Sequence, residues 1–114
     1  MKITRLEECE SSAVTMEGAS GAVRQVPVGR ADGAPHFSAR VFTLEPGGHT
    51  PHHAHESEHL NYIISGRGTV MQGEVPREVK KGDFVLVMPG ELHQYRNSGD
   101  EPFVFMCVVP TQYE

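Results

Sequence analysis

Twelve glycines and eight prolines are distributed along this chain of 114 residues and divide it into short segments. From residue 36 onward, no stretch repeats apolar residues at the 3.6-residue spacing of a helix. The segments are rich in Val, Ile, Phe and Thr, which favour strands, and comprise Val23–Val26, Phe37–Leu44, Leu60–Ile64, Thr69–Met71, Phe84–Val87 and Phe103–Val109. Short strands separated by turns about every eight to twelve residues predict an all-β sandwich or barrel.

Turn-forming clusters separate these segments, at Glu45–Gly48, Ser65–Gly68, Gln72–Gly73, Lys81–Asp83, Pro89–Gly90 and Asn97–Asp100. Residues 1–22 are polar and contain helix-breaking glycines, which predicts an extended N-terminal arm lying on the barrel or on a second subunit. Residues 23–114 are expected to form one barrel domain. The segment Phe103–Val109 is apolar on both faces, so one face should point inward and the other towards a partner sheet or subunit.

The charge balance and the apolar runs exclude several classes of partner. The formal net charge is −5, and no basic cluster is larger than Lys80–Lys81, so nucleic-acid binding is not expected. The longest apolar run, Phe103–Val109, is too short to span a bilayer. No basic segment followed by an apolar stretch opens the chain, so a cytoplasmic location is expected, with Cys9 and Cys107 free.

The distribution of histidines along the chain indicates a functional site. The chain has seven histidines, and five of them fall between positions 49 and 59. His53 and His55 are two residues apart, so on a strand their side chains point to the same face. After three further residues, His59 begins an apolar segment, and His93 begins another segment after a Pro-Gly turn. Neutral imidazole is the commonest metal ligand in proteins, so these four side chains predict a site for one divalent transition metal.

A histidine-rich segment can also be no more than a solvated turn. The third and fourth histidines, each at the start of a predicted strand, favour the metal site. The remaining histidines, His36, His49 and His52, are given no role; His52 adjoins His53 and must point to the opposite face of an extended segment.

The spacing of these residues resembles that of the cupin family. The first cupin motif begins with Gly, five residues and His-x-His. After three or four further residues comes a position that is usually Glu, and after six more residues a Gly. The matching residues here are Gly47, His53, His55, His59 and Gly66. The second motif is matched by Gly82, Pro89, Gly90, His93 and Asn97. The resemblance covers residues from about 37 to 109 and implies a double-sheet jelly roll, also called a double-stranded β-helix.

Two departures from the cupin pattern are informative. Pro89 stands one position later than usual, and His59 replaces the usual glutamate, so the resemblance implies four histidines and no carboxylate. Glu58 is the competing fourth ligand, but it leaves only two residues after His55, where the family has three or four. The four-histidine set resembles that of small single-domain bacterial cupins described as manganese proteins. Manganese is therefore expected, although iron, zinc, nickel and copper also accept imidazole.

Strand alternation and the same resemblance nominate the cavity lining. Asn61 shares the face of His59, and Tyr95 shares that of His93. Phe105 and Cys107 lie on one face of the last strand, and Arg40 lies within an apolar strand. The small cupins imply that Arg40, Tyr95, Phe105 and Cys107 face the metal.

Two functions fit this site. The first is a metal-dependent oxygenase, or a Lewis-acid isomerase or lyase, acting on a small organic molecule. The second is a non-catalytic module that binds or senses a small ligand. No catalytic residue is assigned, since Glu56 and Glu58 are expected in solvent and no nucleophile–base pair is present. The family analogy also implies a two-fold homodimer.

Overall fold

Antiparallel strands make up most of the computed structural model, which describes residues 1–114. The nine strands are Ser12–Ala13 (β1), Ser20–Val28 (β2), Phe37–His49 (β3), His59–Ser65 (β4), Arg67–Gln72 (β5), Val75–Lys80 (β6), Phe84–Val87 (β7), His93–Arg96 (β8) and Phe103–Pro110 (β9). Helical structure is restricted to three single 3-10 turns, at Leu6–Glu8, Arg30–Asp32 and Thr111–Tyr113. None of them is long or apolar enough to cross a membrane. The predicted all-β fold is confirmed.

The strands form one curled sheet in the order β6-β5-β8-β3-β9-β4-β7, with β2 paired to β3 and β1 to β2. The thirteen-residue strand β3 lies between the strands β6-β5-β8 on one side and β9-β4-β7 on the other. It pairs with β9 through Phe37–Leu44 and with β8 through His49. Cys107 of β9 is the register partner of both Arg40 on β3 and Asn61 on β4. Three of the expected cavity residues are therefore neighbours across adjacent strands.

The core follows from strand alternation. In β9, burial alternates residue by residue, with Phe103, Phe105, Cys107 and Val109 buried and the intervening residues half-buried. The main core cluster draws residues from seven strands and comprises Ala22, Leu44, Ile63, Val70, Val79, Tyr95, Phe103 and Phe105. The apolar core therefore lies on the interior face of the curled sheet, and two of its residues, Tyr95 and Phe105, line the same cavity as the histidines.

The turn predicted at Glu45–Gly48 is wrong, because β3 continues through it to His49. The extra residues form a bulge, since Ala22 pairs with Leu44 whereas Ser20, two residues away on β2, pairs with His49. Gly47 has φ +82°, and a Cβ on Gly48 would lie 2.5 Å from the Gly21 carbonyl oxygen. Glycine is required here by backbone conformation and by close approach of two strands.

The first 22 residues lie on the barrel of their own chain. Strand β1 pairs with β2, and the Gln25 side chain donates hydrogen bonds to the carbonyl oxygens of Leu6 (2.9 Å) and Cys9 (3.0 Å). Strand β2 begins at Ser20, within the segment assigned to the arm, and Ala22 belongs to the core. Strand β6 was not predicted from the sequence; only Val79 among its six residues is buried.

Candidate metal centre

The segment between β3 and β4 carries the first two histidines of the predicted site. It is a loop, so the prediction that His53 and His55 lie along a strand is wrong. Backbone hydrogen bonds nevertheless attach the loop to the start of β8: the amide of His53 donates to the carbonyl of His93 (3.1 Å), and the amide of His93 donates to that of His53 (3.0 Å). The Gly90 amide donates to the His55 carbonyl (2.8 Å). The loop is thereby held against the strand that begins with His93.

Three imidazoles converge at this junction. The rings of His53 and His55 lie 5.1 Å apart between centroids, and His93 lies 5.2 Å from the first and 4.9 Å from the second. One ring nitrogen from each residue lies within 4.8 Å of the other two. Nitrogen donors at that separation can surround a single metal ion.

Hydrogen bonds to the backbone orient two of these rings. Nδ1 of His55 lies 2.9 Å from the Ser57 carbonyl oxygen, and Nδ1 of His93 lies 2.8 Å from the Glu91 carbonyl oxygen. A carbonyl oxygen only accepts, so Nδ1 carries the proton in both rings and Nε2 keeps its lone pair. Nε2 of His55 is buried and has no hydrogen-bond partner. Such an arrangement is typical of metal-binding histidines and fits a cation at the point where the three rings meet.

His59 lies beside this group in a different orientation. It is the first residue of β4 and is buried, and its ring stacks on that of His55 at 4.2 Å with an interplanar angle of 16°. Its Nδ1 lies 3.4 Å from Sγ of Cys107. Its role as a fourth ligand stays a prediction, and the competing residue, Glu58, is exposed. Glu56 is exposed as well.

Burial disfavours the charged form of three of the clustered imidazoles, those of His53, His59 and His93. Desolvation lowers the pKa of His53 and His93, and it lowers the pKa of His59 to about 3. Repulsion from neighbouring imidazoles adds to the effect, and Arg40 contributes to it at His53 and His59. Neutral rings at physiological pH are the form that binds metals.

A cavity of about 380 Å³ opens next to the histidines. Its lining includes all nine residues predicted from the sequence, namely Arg40, His53, His55, His59, Asn61, His93, Tyr95, Phe105 and Cys107. The further lining residues are Val14, Met16, Phe42, Thr50, Pro51, Ser57, Tyr113 and Glu114. The volume is in the range of small-molecule sites.

Residues 40–109, which are 70 of the 114 residues, match the cupin domain family Cupin_2. The matched region contains all four clustered histidines. The chain is a cupin.

Two curated relatives of this cupin are enzymes by name. A stretch of 70 residues is 36% identical to 1-methylthio-D-xylulose 5-phosphate methylsulfurylase of Rhodospirillum rubrum, covering 61% of this chain and 45% of that protein. A stretch of 63 residues is 33% identical to gentisate 1,2 dioxygenase 1 of Aquipseudomonas alcaligenes, covering 54% of this chain and 18% of that protein. The cupin described here thus matches less than half the length of either relative.

A solved structure extends the similarity to nearly the whole cupin. The polyketide cyclase RemF from Streptomyces resistomycificus superposes with a TM-score of 0.92 at 26% identity, covering 97% of this chain and 80% of that one. The cupins to which this chain is similar therefore include enzymes with different chemistries.

Sequence reasoning missed part of the cavity wall of this cupin. Phe42 stacks on Phe105 at 5.4 Å, and because it is two residues from Arg40, strand alternation could have identified it. Val14 and Met16 come from the N-terminal arm, which has no periodic pattern to indicate which side chains point inward.

Proposed function

We propose that this cupin is an enzyme in which His53, His55, His59 and His93 bind one divalent transition metal beside a substrate cavity. The observation that carries the proposal is the buried, unpartnered Nε2 of His55, whose Nδ1 is already engaged by the Ser57 carbonyl. The nearby rings of His53 and His93 supply the companion nitrogens.

The metal would act as a Lewis acid that polarises an oxygen of the bound molecule. The chain's own contribution is to exclude water and to orient that molecule. Phe42 and Phe105 supply apolar walls, and the buried hydroxyl of Tyr95 and the amide of Asn61 supply polar contacts. Since the four proposed ligands carry no charge, the charge of a divalent ion is not offset, and the site favours chelating or anionic molecules.

Manganese is the metal we propose, from the resemblance to small bacterial cupins. Elemental analysis of the protein purified without added metal tests this directly. About one equivalent of manganese per chain is expected. Iron, zinc, nickel or copper at that level would contradict the choice of manganese but would still support the proposed metal site.

We propose a non-oxidative reaction at a carbonyl group, such as ring closure or isomerisation. The structural similarity to the polyketide cyclase spans 97% of this chain and 80% of that enzyme, whereas the sequence similarity to the dioxygenase spans 54% of this chain and 18% of that enzyme. The former therefore supports the proposal more directly than the latter supports an oxygenase.

The reaction class is tested by incubating the manganese-loaded protein with aromatic polyketones and small oxo acids, under argon and in air. We expect a product without an added oxygen atom, either an isomer of the probe or that isomer less one water lost on ring closure. It should form equally in both atmospheres and be lost in His93→Ala, with His52→Ala as the matched control. Stoichiometric oxygen uptake would indicate an oxygenase instead.

The second candidate is a non-catalytic binding module. One observation favours it. Glu114 is the only acidic residue of the cavity lining, and its Oε1 accepts hydrogen bonds from the Arg30 amide and the Ser38 hydroxyl. This side chain is therefore already engaged and is not free to act as a general base on a bound molecule. Saturable metal-dependent binding without any turnover in the same assay would support that candidate.

A further inference from the structure

Arg40 is the one cationic side chain in the cavity lining. Its guanidinium group has no carboxylate partner, since the two ion pairs of the molecule are Lys2–Asp32 and Arg5–Glu8. Its Nε is buried and makes no hydrogen bond. A cation beside an apolar wall is costly to desolvate, so an unpaired one there indicates a missing anion.

Contacts within the cavity fix the position of Arg40. One terminal nitrogen donates a hydrogen bond to Sγ of Cys107 at 3.1 Å, and the guanidinium carbon lies 5.2 Å from the ring centroid of Phe42. Cys107 is 1% exposed and is the cross-strand partner of Arg40. The guanidinium is therefore held in place by its neighbours, with Nε left free.

Two further polar groups of the same cavity lack partners. Asn61 is fully buried, and neither its amide nitrogen nor its amide oxygen is hydrogen-bonded; the hydroxyl of Tyr95, which is 3% exposed, has no partner either. These groups come from β4 and β8, whereas Arg40 comes from β3. A buried polar group without a partner costs about 1–3 kcal/mol, so three such residues on one cavity indicate a ligand that satisfies them.

We infer that the cavity selects a small organic acid with an apolar body, whose anionic oxygen pairs with Arg40 and whose other polar atoms contact Tyr95 and Asn61. The aromatic side chains of Phe42 and Phe105 favour a flat apolar body for this molecule. The inference names a substrate class and rests on the proposed function for treating the cavity as the substrate site. Arg40 is its specificity-determining residue, and Cys107 is the positioning residue that holds it.

The test compares two probes that differ in charge and little in shape, 2-naphthoate and the uncharged 2-naphthamide. Binding of each is measured by fluorescence titration of wild type, Arg40→Gln and Arg77→Gln. Arg77 is an exposed arginine of β6, outside the cavity lining, and Arg77→Gln is the control with the same charge change.

Wild type and Arg77→Gln are expected to bind naphthoate on the order of tenfold more tightly than naphthamide, as a charge-assisted hydrogen bond predicts. In chelator-treated Arg40→Gln the ratio of the two affinities is expected to fall to about one while naphthamide binding is retained, which also shows that the variant is folded. In manganese-loaded Arg40→Gln the ratio is expected to fall by a similar factor, to whatever preference the metal alone gives. If Arg40→Gln does not fold, Arg40→Lys serves instead and is expected to keep part of the preference. Inorganic phosphate is expected not to displace naphthoate, because it has no apolar body.

Each titration is carried out with manganese-loaded and with chelator-treated protein, which separates this inference from the proposed function. A preference that depends on Arg40 in both forms supports the inference even where no metal-dependent turnover is found. A preference that requires the metal and persists in Arg40→Gln assigns selectivity to the metal and overturns the inference. Equal affinities for the two probes, no binding of either, or displacement by phosphate also overturn it.

Discussion

Two backbone carbonyl groups orient the rings of two of the clustered histidines, His55 and His93. Each carbonyl is two residues from the histidine it orients, Ser57 after His55 and Glu91 before His93. The orientation is therefore produced by local turns of the chain, and long-range pairing is needed only to bring the two turns together. Substitutions that alter either turn should affect the site more than substitutions of equal size elsewhere on the surface.

His59 and its neighbour Glu58 are expected to differ sharply in their effect on metal binding. His59→Ala is expected to lower the metal content of the purified protein from about one equivalent to near zero, because it removes one of four proposed ligands. Glu58→Ala is expected to leave the content unchanged, because Glu58 is exposed. Elemental analysis and titration with Mn²⁺ measure both. Loss of metal in Glu58→Ala with retention in His59→Ala would reverse the assignment.

The metal-free protein is expected to lose stability in acid. The pKa of His59 is about 3 in the folded protein, whereas an unfolded histidine titrates near pH 6.5. Between these values the unfolded chain binds a proton that the folded chain does not, so the free energy of unfolding falls as the pH falls through this window. One such group contributes a slope of up to about 1.4 kcal/mol per pH unit, and the lowered pKa values of His53 and His93 act in the same direction.

Urea denaturation of chelator-treated protein between pH 7.5 and 4.5 measures this slope. His59→Gln is expected to flatten it, and His36→Gln, which alters an exposed histidine, is expected to leave it unchanged. Stability that stays constant or rises as the pH falls below 6.5 would contradict the burial of neutral His59.

The bulge in β3 is expected to be sensitive to substitution. A Cβ at Gly48 would lie 2.5 Å from the Gly21 carbonyl oxygen and 2.9 Å from that of Glu45. Gly48→Ala is therefore expected to destabilise the protein by about 1–3 kcal/mol, the usual cost of overpacking. At Gly99 the nearest atom would be 3.5 Å away, so Gly99→Ala is expected to stay within about 0.5 kcal/mol of wild type. Urea midpoints compare the two, and equal midpoints would show that the strands can move apart.

How well each element could be predicted depended on how strongly its pattern reflects burial. Strand β4 was predictable because His59, Asn61 and Ile63 are buried in strict alternation, and β8 because its first residue follows a Pro-Gly turn. Strand β6 has one buried residue and an internal proline, so its sequence resembles a loop. The bulge at Glu45–Gly48 has turn-forming residues for a different reason, namely the close approach of β2. Contacts from the N-terminal arm depend on long-range packing that no local pattern records.

The outer face of the sheet carries an uncovered apolar patch on β4, β7 and β9. Phe84, Leu86 and Leu60 are 72%, 55% and 47% exposed, and Leu60 pairs with Leu86 across β4 and β7. On the next strand, β9, Val108 pairs with Leu60 and is half-buried. We propose that a second copy of the chain covers this face in a two-fold homodimer, since the patch is continuous over three strands and a C2 contact needs only a self-complementary surface.

Light scattering tests the dimer. The wild type is expected at twice the chain mass of 12.5 kDa at micromolar concentration. Leu86→Glu is expected to give the monomer mass, because it places a charge in the centre of the proposed interface. Val75→Glu, an equally exposed apolar position on β6 outside the patch, serves as the control. A wild type of monomer mass would contradict the dimer, as would a Leu86→Glu variant that keeps the dimer mass.

Two of the proposed ligands, His53 and His55, lie on a loop outside the sheet, attached to it by only a few backbone hydrogen bonds. Neither residue belongs to the apolar core cluster. Mutations that exchange these side chains can therefore accumulate without disturbing the packing on which folding depends. Selection can alter the ligand set of the proposed metal site while the barrel is inherited unchanged, so one scaffold can give rise to descendants with different reactions.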